Sequence, residues 1–344
     1  MPFGRRRQKK KKTKRSENPM PKEDSGAKVA GERQALMLEA NMGQDLMKFM
    51  HDENVMEIML NPDGKIWIDT HSEGCIDSGL LLDAQKAKQI IYNVAALANR
   101  TIPPDFPELE AEIPKTYLFD SCRFQAELPP VVKAPSFNIR KFGKKLFTLE
   151  DYVEQGTMTE NQREIILAAI KDHKNIIAAG GTASGKTTLL NAILAEISGM
   201  GERIVIIEDT SELRCTAPNH VKLQTAPPKM DMDMLLRITL RKSPNRIVVG
   251  EVRSKEAMTL LEAWSTGHRG GCCTVHSESA TDTLSRLEEL TSRVSQTPQK
   301  ETVGRAVDTV VYLRKRLTHR VIEDIIAVER YDKTTQEYIT RKIG

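Results

Sequence analysis

The stretch Gly180-Gly181-Thr182-Ala183-Ser184-Gly185-Lys186-Thr187 decides the fold, because it matches the pattern G-x-x-x-x-G-K-[ST] in full. A short apolar run at residues 175–179 precedes it, and apolar residues at helical spacing follow it. A strand that ends in such a loop and continues as a helix is the context in which the pattern binds phosphate. We therefore expect a phosphate-binding loop between a strand and a helix.

Backbone N–H groups in a glycine-rich loop can encircle phosphate oxygens at a helix N-terminus, where the helix dipole also favours negative charge. We expect Lys186 to bridge the β- and γ-phosphates and the Thr187 hydroxyl to bind magnesium. The predicted ligands are ATP and Mg²⁺, and the alternative is a glycine-rich turn. The predicted nucleotide contacts are Gly180, Gly181, Thr182, Ala183, Ser184, Gly185, Lys186, Thr187 and Thr188.

Carboxylates follow two of the apolar runs that come after the loop. Glu208 and Asp209 come directly after residues 203–207, and Glu251 follows residues 246–250. An acid at the carboxyl end of a parallel strand can hold magnesium through water or orient the attacking water. We predict Glu208 and Glu251 as catalytic acids, and Asp209 and Glu208 as magnesium ligands, with the anchoring acid left open. Ordinary helix-start acids are the alternative.

Two histidines and two cysteines lie close together between residues 266 and 277. A zinc site is disfavoured, because a strand would send the adjacent Cys272 and Cys273 to opposite faces of a sheet. We instead predict that His276, at the end of that strand, senses the γ-phosphate or its products. His268 is expected on the preceding loop, and purely structural roles are the alternative for both histidines.

The second half of the chain alternates helical patterns with short apolar runs, which is typical of a largely parallel sheet covered by helices. We expect an α/β fold there. The first half combines a helical pattern, a predicted hairpin of two strand-like runs split by Asn61-Pro62-Asp63-Gly64, a predicted helix over 84–100, and a proline-rich stretch suited to short strands. It predicts a smaller α+β domain. The apolar runs of the second half lie at 175–179, 203–207, 246–249, 271–275, 308–313 and 321–328.

Composition suggests four segments along the chain. They are a basic tail over 1–30, the α+β domain over 31–141, a linker over 142–150 and the α/β domain over 151–344. Thr148 is the expected N-cap of the first helix after the boundary. Nine Lys and Arg residues and no acid lie between positions 5 and 15, which predicts a disordered tail. This run either binds anionic lipid or nucleic acid or is a solvated tail.

The rest of the composition is ordinary for a globular protein, with 39% apolar and 28% charged residues. No apolar run approaches the roughly 18 residues of a membrane-spanning helix, and no apolar segment follows the basic run as in a secretory signal. The five cysteines form no C-x-x-C pair, which argues against a disulfide framework. We expect a cytoplasmic protein with reduced thiols.

Four motifs, in this order, resemble the secretion ATPase superfamily. The phosphate loop is followed by IIEDTSEL at 206–213, by IVVGEVR at 247–253, and by the stretch from Thr266 to His276. These are similar to the Walker A, Asp box, Walker B and His box motifs of that family. The lead-in WSTGH at 264–268 is most similar to the type IV secretion branch, closest to TrbB-type conjugal transfer ATPases. The resemblance covers nearly all of the chain after the tail.

The resemblance implies a RecA-like C-terminal motor domain and a smaller N-terminal domain in a homo-hexameric ring at the cytoplasmic face of a bacterial inner membrane. It assigns Glu208 and Asp209 to the Asp box, Glu251 to Walker B, and His268 and His276 to the His box. Inner-membrane secretion and conjugation proteins are the implied partners.

The family also implies two arginines from the N-terminal domain that reach the nucleotide phosphates. The matching positions are Arg123 and Arg140, and a guanidinium suits phosphate oxygens through paired hydrogen bonds. Surface ion pairs are the alternative for both. Ala183 stands where the family often has glycine, so its methyl group is expected to alter nucleotide affinity without abolishing binding.

The combined prediction is magnesium-dependent ATP hydrolysis by a hexameric ring that powers type IV secretion, in conjugal DNA transfer or mating-pilus assembly. One alternative is an ATP-dependent ring scaffold with little turnover. Another is a nucleic-acid translocase, which ranks lower because the basic tail lacks aromatic side chains for base stacking apart from Phe3.

Overall fold

The computed structural model describes residues 25–70, 72–143, 146–316 and 319–344. The basic run at positions 5–15, on which the predicted lipid or nucleic-acid contact depends, lies outside these residues. Residues 144 and 145 of the expected linker also lie outside them. The chain divides between Phe142 and Gly143 into two compact units.

The described part of the first unit is an antiparallel sheet of six strands, in the strand order β3-β2-β1-β6-β5-β4, with two helices, the first of which is kinked at Gly43. Alternate residues of its strands are buried, and one hydrophobic cluster joins the buried face to both helices. This pattern is typical of an antiparallel sheet with one face on the core. The elements are α1 (Ser25–His51), β1 (Val55–Leu60), β2 (Lys65–Thr70), β3 (Gly74–Leu81), α2 (Ala84–Leu97), β4 (Glu108–Ile113), β5 (Cys122–Glu127) and β6 (Ser136–Lys141).

Local signals set several boundaries in this unit. The predicted hairpin is confirmed, since Leu60 of β1 pairs with Ile66 of β2 around the turn. Asp83 caps α2 by accepting a hydrogen bond from the Gln85 backbone N–H at 2.8 Å. The helix predicted over 84–100 ends earlier, at Leu97, because Asn99 has a left-handed φ of 52° that no α-helix accommodates.

The second unit is a sheet of eight described strands in the order β14-β13-β12-β7-β11-β10-β8-β9. The strands from β12 to β9 in this order run parallel, and β13 and β14 are antiparallel additions. The elements are α3 (Leu149–Glu154), α4 (Glu160–Lys171), β7 (Ile176–Gly180), α5 (Lys186–Ser198), β8 (Ile204–Glu208), β9 (His220–Gln224), α6 (Met232–Thr239), β10 (Arg246–Val252), α7 (Glu256–Ser265), β11 (Cys272–His276), α8 (Asp282–Ser292), α9 (Lys300–Ala306), β12 (Thr309–Lys315), β13 (Arg320–Asp332) and β14 (Glu337–Lys342).

Helices cover both faces of this sheet, as the apolar runs predict. Every residue of β7 and β8 is buried, which is typical of parallel strands between two helical layers. Cys272 packs into the hydrophobic cluster on one face and Cys273 into the cluster on the other. The predicted N-cap at Thr148 is also confirmed, and Asp151 completes a capping box with it. The α/β prediction is therefore correct.

The sequence patterns do not predict two strands of this sheet, β9 and β14. β9 alternates exposed and half-buried residues at the sheet edge, and β14 is largely exposed, so neither carries a continuous apolar run. Among the residues that the structure describes, no helix combines the length and apolar character needed to cross a bilayer.

Candidate functional site

The predicted phosphate loop connects the carboxyl end of β7 to the start of α5. Gly180 has a φ of 153°, and a side chain there would clash with the backbone carbonyl of Leu313. Gly185 is the N-cap of α5 with a φ of 97°, and no side chain caps this helix. Backbone N–H groups at the start of α5 are therefore directed toward the loop without a side-chain acceptor, an arrangement that suits phosphate oxygens.

The middle of the loop combines exposed and buried polar groups. Gly181 and Thr182 are exposed, whereas the Ser184 hydroxyl is buried and has no hydrogen-bond partner among the described residues. Ala183 has a left-handed φ of 56°. An alanine is therefore strained at this position, because a Cβ disfavours that region of backbone conformation.

Lys186 occupies the first turn of α5 with only 7% of its surface exposed. Its Nζ donates a hydrogen bond to the Gly181 carbonyl at 2.8 Å, so the side chain folds back over the loop. Nζ also lies 3.4 Å from Nδ1 of His276. Thr187 and Thr188 follow on the same turn and are half-buried. The loop thus carries a cation and two hydroxyl groups where a phosphate chain would bind.

His276 ends β11, directly beside Gly180 in the parallel pairing with β7. Its Nε2 lies 2.8 Å from a carboxylate oxygen of Glu251 on β10. A neutral imidazole with its proton on Nε2 satisfies both neighbours, since Nε2 then donates to Glu251 and Nδ1 accepts from Lys186. Burial and the nearby Lys186 cation lower the pKa of His276, which favours this neutral form.

Arg253 extends this chain of contacts beyond Glu251. Its guanidinium donates to the second carboxylate oxygen of Glu251 and lies 3.9 Å from Asp209. Asp209 also accepts a hydrogen bond from the Thr225 hydroxyl at 3.0 Å. The structure therefore brings Lys186, His276, Glu251 and Asp209 together at the carboxyl edge of the sheet.

Glu208 lies at the same edge but is turned into the protein, with 3% of its surface exposed. One carboxylate oxygen accepts from the backbone N–H groups of Glu212 and Leu213, both at 2.9 Å. The other lies 3.0 Å from Lys222 Nζ. Burial raises the pKa of Glu208, and the Leu213 and Lys222 contacts offset that only in part. This carboxylate fixes the loop after β8, whereas Glu251 is linked to the phosphate loop through His276.

The structure does not bring His268 to the phosphate loop. It lies between α7 and β11, and the start of β11 is aligned with Ile176 at the amino end of β7. The phosphate loop follows the opposite end of β7. His268 Nδ1 is buried without a hydrogen-bond partner among the described residues. Its predicted catalytic role stays a prediction.

Arg123 and Arg140 lie in the first unit, directly opposite each other on β5 and β6. Arg140 is exposed, and Arg123 forms an ion pair with Glu110 at 2.6 Å. Two like charges on facing positions of a sheet repel each other. The pair thus places two guanidinium groups side by side on the open face of this sheet.

The cysteines near His276 are core residues. Burial raises the pKa of Cys272 to about 12, so its thiol stays protonated at neutral pH. No cluster of three or more His, Cys, Asp or Glu side chains within the described ranges is arranged to hold a metal ion.

Comparison with known proteins places the chain in a family. The family described as Type II/IV secretion system protein matches residues 44–338. The chain belongs to the type II/IV secretion system protein family. A probable conjugal transfer protein TrbB of Sinorhizobium fredii is 45% identical over 86% of this chain and 89% of its own length. The conjugal transfer protein TrbB of Rhizobium radiobacter is 42% identical over 86% and 90% of the two chains.

Solved structures agree with the fold of this secretion-family chain. The Legionella pneumophila ATPase DotB has a TM-score of 0.59 at 20% identity, covering 85% of this chain and 81% of that one. The pilus retraction motor PilT with bound ADP has a TM-score of 0.57 at 17% identity, covering 78% and 77%. The predicted RecA-like fold and the predicted membership of the secretion ATPase superfamily are confirmed.

The sequence-based prediction does not include two residues of the site, Arg253 and Lys222. Arg253 follows Glu251 by two positions and comes directly after the last residue of β10, so the period of two of an extended chain could have identified it. Lys222 gives no such signal, because it lies on the edge strand β9, which carries no continuous apolar run.

Proposed function

We propose that this secretion-family chain hydrolyses ATP with magnesium and uses the reaction to drive a ring-shaped motor for conjugal transfer. The observation that carries the proposal is the continuous path from Lys186 in the phosphate loop through His276 to Glu251. A cation that binds phosphate and an acid that can activate water are thereby held at one edge of the sheet.

The loop fits the triphosphate of ATP. Its glycines leave room for backbone N–H groups to approach phosphate oxygens, and the uncapped N-terminus of α5 adds the favourable end of a helix dipole. The buried hydroxyl of Ser184 offers one more polar group inside the loop. On ATP binding, Lys186 would exchange the Gly181 carbonyl for phosphate oxygens, which are stronger acceptors for an ammonium group.

The residues at this edge also fit magnesium. The Thr187 hydroxyl would be a protein ligand of the ion, and phosphate oxygens and water would complete its coordination shell. When bound, magnesium neutralises charge on the β- and γ-phosphate oxygens and so stabilises the transition state. Asp209 is the carboxylate at this edge that a water-mediated contact would use, because Glu208 is engaged by Glu212, Leu213 and Lys222.

Glu251 is our proposed catalytic base, with His276 as the residue that positions it. The imidazole holds one carboxylate oxygen of Glu251, and Arg253 holds the other. A carboxylate fixed at both oxygens keeps one orientation toward an attacking water. When Lys186 turns to the phosphates, His276 loses the partner of its Nδ1 atom. Nucleotide binding would thereby alter the contact between His276 and Glu251.

Further parts of the proposal rest on the family. Relatives named as conjugal transfer proteins support a role in conjugal DNA transfer or mating-pilus assembly. We propose a homo-hexamer at the cytoplasmic face of the inner membrane, docked on secretion proteins. Arg123 and Arg140 as phosphate contacts, and His268 as a residue that acts across a subunit boundary, are part of the same proposal.

ATP binding and phosphate release by the wild type, Lys186→Ala and Glu251→Gln test this proposal. We expect Lys186→Ala to abolish nucleotide binding, and Glu251→Gln to retain binding while losing turnover. Native mass measurement on the same samples reports the oligomer. Tight binding with no phosphate release by the wild type would instead favour a nucleotide-dependent scaffold, and strong stimulation by DNA would favour a translocase.

A further inference from the structure

The β12–β13 hairpin lies against the phosphate loop on the side opposite His276. β12 pairs with β7 in parallel, so that Leu313 faces Gly180, whereas β11 flanks β7 on its other side. β13 returns antiparallel, with Arg320 opposite Lys315. Arg320 is the half-buried first residue of β13. The hairpin therefore places Arg320 beside the phosphate loop, on the side away from His276.

Arg320 contacts the loop at two points. Its Nε donates a hydrogen bond to the Ala183 carbonyl at 3.2 Å. Its Cδ lies 3.1 Å from where a side chain on Gly185 would begin, so the arginine stem covers that glycine. The side chain thus spans the loop from its middle to the start of α5.

Ala183 is the position of this loop that most needs such a contact. Its φ of 56° is a left-handed conformation, which costs an alanine free energy because Cβ crowds the following carbonyl. Without an external contact the residue would favour right-handed or extended backbone, and the neighbouring N–H groups would turn with it. The Arg320 hydrogen bond holds the Ala183 carbonyl in the orientation that the left-handed conformation requires.

The start of β13 is itself fixed to the body of the second unit. Gln162 of α4 donates to the Ile322 carbonyl at 3.2 Å, and the Ile322 N–H donates to the Thr157 carbonyl at 2.8 Å. Gln162 also closes the capping box of α4 with Thr159. Arg320 therefore acts from a rigid strand two residues away from these bonds.

We propose that Arg320 is a positioning residue of the phosphate loop, which keeps Ala183 left-handed so that the backbone N–H groups are arranged before nucleotide binds. This inference rests on the proposed nucleotide site. It predicts that Arg320 and Ala183 are energetically coupled, because glycine populates the left-handed region as readily as the right-handed one and needs no such contact.

A double-mutant cycle measures that coupling through the Kd for ADP, determined by titration calorimetry so that turnover is not involved. We expect Arg320→Ala to raise the Kd for ADP about tenfold, because without the hydrogen bond only a minor fraction of the molecules would keep Ala183 in the left-handed conformation. In the Ala183→Gly background the same change should cost only about twofold, since glycine populates both regions about equally. Arg320→Lys should behave like Arg320→Ala, because lysine keeps the charge but lacks the Nε donor.

Arg314→Ala is the matched control, since Arg314 lies on the same hairpin but pairs with Glu323 instead of the loop. It should leave the Kd for ADP unchanged. Full rescue by Arg320→Lys, or an equal loss in both backgrounds, overturns the proposal. If Arg320→Ala does not fold, Arg320→Lys replaces it in the double-mutant cycle, because lysine keeps an aliphatic side chain over Gly185. Failure of the wild type to bind ADP would contradict the nucleotide site itself, a separate outcome.

Discussion

Nε2 of His276 lies 2.8 Å from Oε1 of Glu251, and this contact joins the strand beside the phosphate loop to the strand that carries the acid. On its other side the imidazole faces Lys186 at 3.4 Å. The neutral ring therefore separates an ammonium from a carboxylate while bonding to both. Protonation of His276 would remove the Nδ1 acceptor and place two cations side by side.

The titration of His276 predicts how stability depends on pH. Burial and Lys186 lower the pKa of folded His276 below the ordinary histidine value of 6.5, and Glu251 opposes the shift only in part. Between these two pKa values the unfolded chain binds a proton that the folded chain does not, so acid favours unfolding. We expect the free energy of unfolding to fall as the pH falls from 6.5 to the lowered folded pKa, and to show no further His276 effect below it.

His276→Gln should remove this part of the pH dependence. Denaturant unfolding of the nucleotide-free protein at about pH 7.5 and about pH 5.5 measures it, and the difference should be smaller in the variant. His51→Gln, which removes an exposed histidine of the first unit, is the control. An identical pH difference in wild type and His276→Gln would contradict the lowered pKa.

Arg253 should matter for turnover more than for binding. Its guanidinium holds the Glu251 oxygen that His276 does not, and it lies 3.9 Å from Asp209. We expect Arg253→Ala to lower kcat by roughly tenfold, the value of one charge-assisted hydrogen bond, with the Kd for ADP nearly unchanged. Phosphate release and calorimetry measure the two quantities. Arg237→Ala is the control, because Arg237 pairs with Asp233 instead. A loss of binding equal to the loss of turnover would assign Arg253 to the nucleotide instead.

Glu208→Gln tests whether that acid fixes its loop. The amide can still accept from the backbone N–H groups of Glu212 and Leu213, but its NH₂ group then faces the Lys222 ammonium, and two donors meet. We expect the free energy of unfolding to fall by about 1–3 kcal/mol. Glu262→Gln, at an exposed acid, should change it little. Unchanged stability with lost turnover would mean that Glu208 acts on the nucleotide or its magnesium.

The core of the second unit could be predicted from sequence because parallel strands buried on both faces have continuous apolar runs. β7, β8, β10 and β11 all coincide with such runs. β9 and β14 could not, since no residue of these two edge strands is fully buried and neither has a continuous apolar run. The order of the strands also depends on packing that no local pattern encodes.

Likewise, only part of the candidate site could be predicted from the sequence. The phosphate loop could be predicted because its chemistry depends on residues adjacent in sequence. The distinction between Glu208 and Glu251 could not, because it depends on Lys222, which reaches Glu208 from another strand. Arg320 lies 137 residues from Ala183, and its contact follows from the position of β12 beside β7. Long-range pairing therefore decides which predicted residues face the ligand.

Arg140 offers a test that separates stability from binding. It lies between Arg123 on β5 and Glu57 on β1, so its removal takes away one unfavourable and one favourable cross-strand pair. Arg140→Ala should therefore change the free energy of unfolding by less than about 1 kcal/mol in either direction. If the two guanidinium groups bind nucleotide phosphate, the same variant should weaken ATP binding roughly tenfold or more, as expected for a lost charge-assisted hydrogen bond.

Chemical denaturation and calorimetry on Arg140→Ala give both quantities from one preparation. Lys65→Ala is the matched control, because Lys65 is an exposed cation of the same sheet that pairs with Asp77. It should affect neither quantity strongly. A loss of stability in Arg140→Ala without a change in ATP affinity would assign Arg140 to a surface ion pair, the alternative that its sequence position left open. Retained stability with weakened binding is the result that a phosphate contact requires, because the lost contact then involves the ligand and not the sheet.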